Sequence, residues 1–332
     1  MRTVVITGCA GLLGAHFSRH LLSNGYSVIG IDDLSGGYAD YLPDRPRFEF
    51  WPMDLSKASA SKALEHIFST NRISACYHFA AYAAEGLSPF IRHFNYSNNV
   101  LASANVINAC INHDVQIIFT SSMAVYGNQC APFTEYMTPK PCDPYGVAKY
   151  AVEQDIQIAH EQHGLRYAIV RPHNVVGVYQ NIWDRYRNVV GIFIRRTLDG
   201  EPMLIYGDGE QTRAFSDIYY YMAPFEKLMG WDALTINIGA EKAYTINELA
   251  DTVQKCALTW GYKATKQYVE ARHEVKHAYC DHAKARETVG FSDNTDLEAL
   301  VSGMFRWACN QPERALKTMP YEVTKGIYEY WK

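Results

Sequence analysis

One stretch near the N-terminus restricts the fold more than any other. Between residues 3 and 32 the chain runs as a short apolar strand (Val4, Val5, Ile6), a turn spaced Gly8-x-x-Gly11-x-x-Gly14, an amphipathic segment, and a second apolar strand that ends at Asp32. In such a unit the first glycine makes the tight turn, the second lets the backbone approach a pyrophosphate, and the third lets the helix touch the strand. The spacing predicts a helix over about 11–24, with Leu13, Phe17, Leu21 and Leu22 on its buried face and Gly25 ending it. Its first amides would face the phosphates. A carboxylate at Asp32 suits the adenosine ribose hydroxyls and repels a 2′-phosphate, so the expected cofactor is NAD rather than NADP. The spacing differs from the Gly-x-Gly-x-x-Gly of simple dehydrogenases, and three glycines alone make an ordinary turn. It is the strand before, the helix after and the acid about twenty residues on that make this a dinucleotide site.

The rest of the chain extends the same pattern. Strand-like runs are expected at 4–7, 28–32, 48–53, 75–79, 116–121 and 167–171, with helices at 58–70, 90–113 and 145–163 between them. This alternation predicts an α/β fold of the Rossmann type, a doubly wound parallel sheet covered on both faces. After Pro172 loops lengthen and elements shorten. The expected division is a dinucleotide-binding domain over 1–172 and a smaller mixed α/β substrate lobe over 173–332, with some segments free to return to the first sheet. Helices are expected there near 189–198, 245–261 and 296–308, and strands at 203–206 and 268–270. A length of 332 residues fits two such units at roughly 150 per domain.

Composition narrows the partners. A net charge of −4 lacks the basic excess of a nucleic-acid binder. No apolar run reaches membrane-spanning length, and Met1 leads at once into a core strand, so neither a membrane nor a secretory signal is expected and a cytoplasmic location is. The eight scattered cysteines read as reduced thiols. The 24 tyrosines have no explanation at this level.

Ligands of an open parallel sheet lie beyond the carboxyl ends of its strands. That places Gly8, Gly11, Gly14, Asp32, Asp33, Ser35, Gly36, Asp54, Leu55, Ala80, Ala81, Tyr82, Ser121, Ser122, Pro172, His173 and Asn174 around one cleft. A Tyr-x-x-x-Lys pair on a helix puts a phenol and an ammonium on one face, where the cation favours the phenolate. Five such pairs occur, so the pattern alone carries little. Prolines 139 and 141 break the pair at Tyr136, and those at Tyr262, Tyr321 and Tyr328 lie far along the chain from the nucleotide fold. Tyr145 follows Pro144 at an expected helix start, with Lys149 one turn on and Ser122 upstream at a strand end. Phenol, ammonium and hydroxyl together make a proton-transfer site. The segment His273-Glu274-Val275-Lys276-His277 matches the zinc-protease pattern, but Lys276 inside the ligand loop and the lack of a third ligand favour a loop across the cleft, with no metal expected. His16, His20, His78 and His160 read as packing or surface residues.

Five segments in order, 7–14, Ser122-Met-Ala-Val-Tyr-Gly127, 145–149, Arg171-Pro-His-Asn174 and Gly207-Asp-Gly-Glu-Gln-Thr-Arg213, resemble the extended short-chain dehydrogenase/reductases that act on nucleotide sugars, most of all the UDP-glucose (galactose) 4-epimerases. The resemblance implies a NAD-dependent 4-epimerase of a UDP-sugar of the UDP-glucose/UDP-galactose type, its N-acetylated and uronic acid forms included, acting through a transient 4-keto sugar. It gives Tyr145 the proton transfer, Ser122 a hydrogen bond to the reacting oxygen, and Lys149 the nicotinamide ribose together with a lowered phenol pKa. It assigns Leu12 and Leu13 to the pyrophosphate, Asp54 and Leu55 to the adenine, Ala80, Ala81 and Asn98 to the cofactor cleft, and Met123, Asn174, Arg213 and Arg272 to the substrate. Dehydratases and decarboxylases of the family usually carry a Glu two residues after the catalytic Ser or Thr, and 3,5-epimerases a Cys; Ala124 stands there. The gate beside the sugar's C2 substituent falls at Ala278 in one alignment and at Tyr279 in another. Alternatives are a one-way NAD-dependent sugar-nucleotide dehydrogenase or reductase, a dehydratase, and a non-catalytic NAD-sensing protein. A homodimer through the two long helices is also implied.

Overall fold

In the computed structural model, which describes residues 2–332, the first half of the chain alternates as the apolar runs predict. It forms β1 (Thr3–Thr7), α1 (Leu12–Ser23), β2 (Ser27–Asp32), β3 (Phe48–Pro52), α2 (Ala58–Thr70), β4 (Ile73–His78), α3 (Arg92–Tyr96), α4 (Ala102–Asn112), β5 (Gln116–Thr120), α5 (Pro144–His163) and β6 (Tyr167–Pro172). The second half adds the strands β7 (Val175–Val176), β8 (Met203–Tyr206), β9 (Thr212–Ala214), β10 (Ser216–Asp217), β11 (Leu234–Ile238), β12 (Ala243–Thr245), β13 (Lys266–Val269) and β14 (His277–Ala278). Its helices are α6 (Val189–Leu198), α7 (Met222–Lys227), α8 (Ile246–Thr259), α9 (Ala283–Val289) and α10 (Leu297–Ala308).

The main sheet has seven parallel strands in the order β11-β6-β5-β4-β1-β2-β3. Side-chain alternation splits its core into two layers. Val4 and Ile6 pack with Phe17, Leu21 and Phe225 on one face, while Val5 packs with Leu64, Val106 and Ile156 on the other. The strand order reverses between β1 and β4, which opens a crevice at their carboxyl ends. A third cluster, with Phe193, Val253 and Phe305, holds α6, α8 and α10 together as the substrate lobe.

One segment beyond residue 172 does return to the first sheet: β11, from the second half, pairs with β6 from Leu234↔Ala168 to Ile238↔Pro172 and completes it. One expectation needs correction, since the helix expected over 90–113 is not one regular helix. A 3₁₀ turn (Glu85–Phe90) precedes α3, and a π turn (Ser97–Leu101) separates α3 from α4. The cause is Asn99, whose amide accepts from Tyr82 N at 2.9 Å and donates to Tyr82 O at 3.2 Å, anchoring the loop after β4 to the widened turn.

Beyond α10 the chain crosses back over the cleft. Glu322 accepts from the amides of His93 (2.7 Å) and Phe94 (2.8 Å) in the first turn of α3, and Trp331 is buried against Phe90 and Tyr186. Much of the tyrosine content serves this packing, through Tyr186, Tyr321, Tyr328 and Tyr330. Among the described residues no helix is long and apolar enough to cross a membrane.

Candidate active site

The Gly8-x-x-Gly11-x-x-Gly14 turn forms the floor of the cleft. Gly8 has φ +71°, and a Cβ on Gly14 would lie 2.1 Å from Gly8 O, so the turn requires glycine at both positions. α1 starts at Gly11 with no capping side chain and no acidic residue in its first turn, leaving its free amides for an anion. Asp32 stands beside it, its carboxylate accepting from Ala10 N (2.9 Å) and Leu34 N (2.8 Å). His78 Nδ1 meets Thr7 Oγ1 at 2.7 Å and its Nε2 meets Ser103 Oγ at 2.8 Å, locking β1 to α4; burial pushes this imidazole down to about 3, so it stays neutral. His16 likewise packs, with Nε2 on Val178 O at 2.9 Å.

α5 carries the reactive side chains for local reasons. Asp143 caps its N-terminus by accepting from Gly146 N at 2.9 Å, Pro144 occupies the first turn, and left-handed Gly164 ends it. Tyr145 and Lys149 thereby share its buried face with Val152, Glu153 and Ile156. The Ser122 hydroxyl stands beside the Tyr145 phenol, whose ionised form it favours, and caps the short turn after β5 by accepting from Ala124 N at 3.1 Å. Lys149 Nζ donates to Thr120 O at 2.8 Å and lies 5.9 Å from the Tyr145 ring centre. Below them, Glu153 accepts from Arg171 Nε at 2.9 Å and Nη2 at 2.6 Å, and Arg171 donates on to Tyr126, which donates to Asn237. This buried network ties α5 to β6 and β11. Arg171 belongs to one of the five sequence segments, but nothing in the sequence marked Glu153 as its partner.

Burial outweighs the cation expected to lower the phenol pKa. It pushes the Tyr145 phenol well above its usual range, with Ser122 opposing, and the same burial pushes Lys149 down to about 7. Both charged forms are penalised together.

Across the cleft, Glu274 accepts from Arg213 Nη2 at 2.9 Å and from Arg272 Nη2 at 3.2 Å, holding two guanidinium groups side by side. Arg272 also lies 4.4 Å above the Tyr206 ring. Glu274 is therefore the clamp of an arginine pair and not part of a zinc-protease helix; its segment is a loop along the cleft, and His277 Nδ1 meets Thr212 Oγ1 at 2.9 Å instead.

One cleft of about 1260 Å³ collects these parts. It is lined by Gly8, Gly11, Leu12, Leu13, Gly14, Asp32, Asp33, Ser35, Gly36, Asp54, Leu55, Ala80, Ala81, Tyr82, Asn98, Ser121, Ser122, Met123, Tyr145, Lys149, Pro172, His173, Asn174, Arg213 and Arg272. Ala278 is the exception. It is buried in β14 beside β9 and packs with Val125, Phe133 and Cys280, while Val275 of the same segment reaches the cleft wall. Tyr328 was set aside as remote from the nucleotide fold, yet it lines the cleft, with its hydroxyl accepting from His273 N at 3.1 Å. The chain's return across the cleft brings it there, and the sequence gives no periodic signal for that path. Glu85 and Asp143 also line the cleft and were not anticipated.

A model of the NAD-dependent epimerase/dehydratase family matches residues 4–223. The chain belongs to that family. A putative UDP-glucose 4-epimerase of Methanocaldococcus jannaschii is 30% identical over 311 residues, covering 92% of this chain and 98% of that protein. The UDP-glucose 4-epimerase of Thermotoga maritima, solved with UDP-glucose, superposes with a TM-score of 0.85 at 29% identity over 92% of this chain and 98% of that one. A UDP-N-acetylglucosamine 4-epimerase from Methanobrevibacter ruminantium M1, solved with UDP-N-acetylmuramic acid, gives 0.83 at 29% identity over 93% and 98%. NAD, the cofactor of this family, fits the residues present. The uncapped start of α1 offers donors for a pyrophosphate, Asp32 offers a carboxylate for ribose hydroxyls, and the Ser121 hydroxyl is buried with no partner at the cleft wall.

Proposed function

We propose that this family member is a 4-epimerase of a UDP-hexose, and the observation that carries the reading is the Tyr145 phenol beside the Ser122 hydroxyl in the cleft that also holds the Arg213 and Arg272 pair. The arginines suit a diphosphate, which they can grip with forked donors. The Asn174 side-chain amide and Arg272 Nε are buried without partners, and both are donors suited to phosphate or sugar oxygens. Tyr145 exchanges the proton of the C4 hydroxyl, and Ser122 holds the same oxygen so that the proton moves along one short hydrogen-bonded path. Bound NAD would supply reversible hydride exchange at C4. Lys149, fixed by Thr120 O, stands where its charge favours the phenolate at the moment the proton leaves. Ala124 offers no acid or base for chemistry at a neighbouring carbon.

Leu101, Val147 and Ile158 are exposed apolar residues on the α3–α4 stretch and on α5, which supports a homodimer through these helices. The eight cysteines are free thiols, as suits a reducing cytoplasm.

Incubating the purified protein with UDP-glucose or UDP-N-acetylglucosamine, with and without added NAD, and following the anomeric and C4 protons by NMR tests the reading. The 4-epimer is expected. Accumulation of NADH in step with an oxidised sugar would replace the epimerase by a one-way dehydrogenase.

A further inference from the structure

Glu85 opens the 3₁₀ turn before α3 and lines the cleft. Its charge is felt by the Tyr145 phenol on one side and by Arg213 and Arg272 on the other. The backbone of the neighbouring Gly86 faces the Arg272 guanidinium, to which a Cβ there would come within 3.4 Å. The Glu85 carboxylate accepts no hydrogen bond from any described residue. Ser88 fixes the turn in place: its hydroxyl donates to Glu85 O at 2.8 Å, accepts from Tyr145 N at 3.2 Å and lies 3.4 Å from Asp143 Oδ1. Asp143 Oδ2 is buried with no partner. Two carboxyl groups are thus built into the wall beside the reacting phenol.

A sugar whose diphosphate rests on Arg213 and Arg272 and whose C4 oxygen reaches Tyr145 has to span the wall that carries Glu85. We propose that Glu85, backed by Asp143, selects an uncharged sugar: the Glu85 carboxylate accepts hydrogen bonds from sugar hydroxyls and excludes a sugar that bears a carboxylate of its own. This rests on the nucleotide-sugar reading above. The charges facing Glu85 are Arg213 and Arg272, the Glu274 that both share, and Asp143; burial raises the Glu85 carboxyl and the two arginines oppose that. Asp143 reports the local potential, since burial and then the Glu85 charge hold its carboxyl up at about 7. A third carboxylate would meet the same resistance.

The test measures Kd for UDP-glucose and UDP-glucuronate on the NAD-loaded enzyme by calorimetry, alongside turnover of each by NMR. UDP-glucose is expected to bind at least about tenfold tighter at pH 8, because juxtaposed like charges are strongly disfavoured, and Glu85→Gln to shrink that gap to about threefold or less by tightening the glucuronate. On the unaltered enzyme, the glucuronate should lose affinity relative to glucose as pH rises from 6 to 8 and Asp143 ionises. Equal or tighter glucuronate binding, an unchanged gap in Glu85→Gln, or a flat ratio across pH overturns the inference. Selective binding of UDP-glucose without epimerisation would sink the epimerase reading alone. Epimerisation with no discrimination against the glucuronate would sink the charge selection alone, and failure to bind either sugar would sink both.

Discussion

The two halves of the cleft are built from different materials. On the cofactor side the contacts are offered by backbone: the turn at Gly8 to Gly14, the free amides of α1 and one carboxylate at Asp32, itself held by two amides. On the sugar side they are offered by long side chains, Arg213 of β9, Arg272 and Glu274 of one loop, and Glu85 of the turn before α3, that neutralise one another. Backbone donors are fixed once the fold forms and tolerate no added atoms. Side-chain donors can exchange partners when an anion arrives, and they can be altered one at a time without loss of the fold. The first half therefore sets which cofactor class binds, and the second sets which sugar nucleotide does.

Substitutions in each half should separate these behaviours, and the largest effect is expected where the halves meet. Tyr145→Phe should lower kcat by about a thousandfold while NAD content, read from the absorbance of the denatured protein, is unchanged. Loss of NAD together with activity would mean that Tyr145 belongs to the cofactor side. Gly14→Ala should cost about 3 kcal/mol, because its Cβ would collide with Gly8 O at 2.1 Å. The expected readout is a lowered Tm and a protein purified without cofactor, and a variant with normal NAD content would break the claim that the backbone cradle has no slack. Arg213→Ala should instead raise KM about tenfold to a hundredfold with kcat changed little, as expected for loss of a charge-assisted contact worth about 1.5–3 kcal/mol, and its Tm should hold.

The smallest effect concerns Asp143. Its folded pKa, held up at about 7, lies above its unfolded value, so the folded state holds a proton that the unfolded state releases. This group therefore costs stability as pH rises through the interval between its ordinary value and about 7. Asp143→Asn keeps the helix cap but removes that titration. The variant should gain about 3 °C in Tm over the parent between pH 5 and pH 8, since a carboxyl held at about 7 costs on the order of 2 kcal/mol across that interval. A parallel pH profile in both proteins would show that the Asp143 carboxyl is already ionised.

The cofactor half was legible because it is local. Val4 to Asp32 contains strand, turn, helix and acid in one contiguous stretch, and apolar period plus glycine spacing is enough to place them. Tyr145 and Lys149 could be chosen over four similar pairs because Pro144 announces a helix start and Ser122 stands at a strand end. The sugar half was legible only in part. Arg213 and Arg272 were anticipated as phosphate ligands, but not that Glu274 clamps both, since that contact joins β9 to a loop some sixty residues away. Ala278 was misplaced because β14 pairs with β9 and turns that residue inward, a register that no pattern in 270–280 reveals. Glu85 follows a run of alanines and reads as an ordinary exposed acid, and Tyr328 reads as one more tyrosine in a tail without period. Each owes its position to a chain path set by tertiary packing. The weight of burial at the Tyr145 phenol was not legible for a related reason: spacing reports that a cation is near, and says nothing of how much water both groups have lost.

The seventh strand of the sheet also bears on how such a protein can be taken apart. Leu234–Ile238 covers the flank of β6, whose Ala168, Ile169 and Val170 are fully enclosed. A chain cut after Pro172 would bare that flank as a flat, greasy row of unsatisfied amides and carbonyls, the kind of margin along which proteins stick to one another. The sugar lobe accordingly cannot be exchanged for that of a relative as a module with clean ends. Any graft that starts at residue 172 and carries new arginines into the cleft has to bring its own copy of the strand, matched to the β6 it meets.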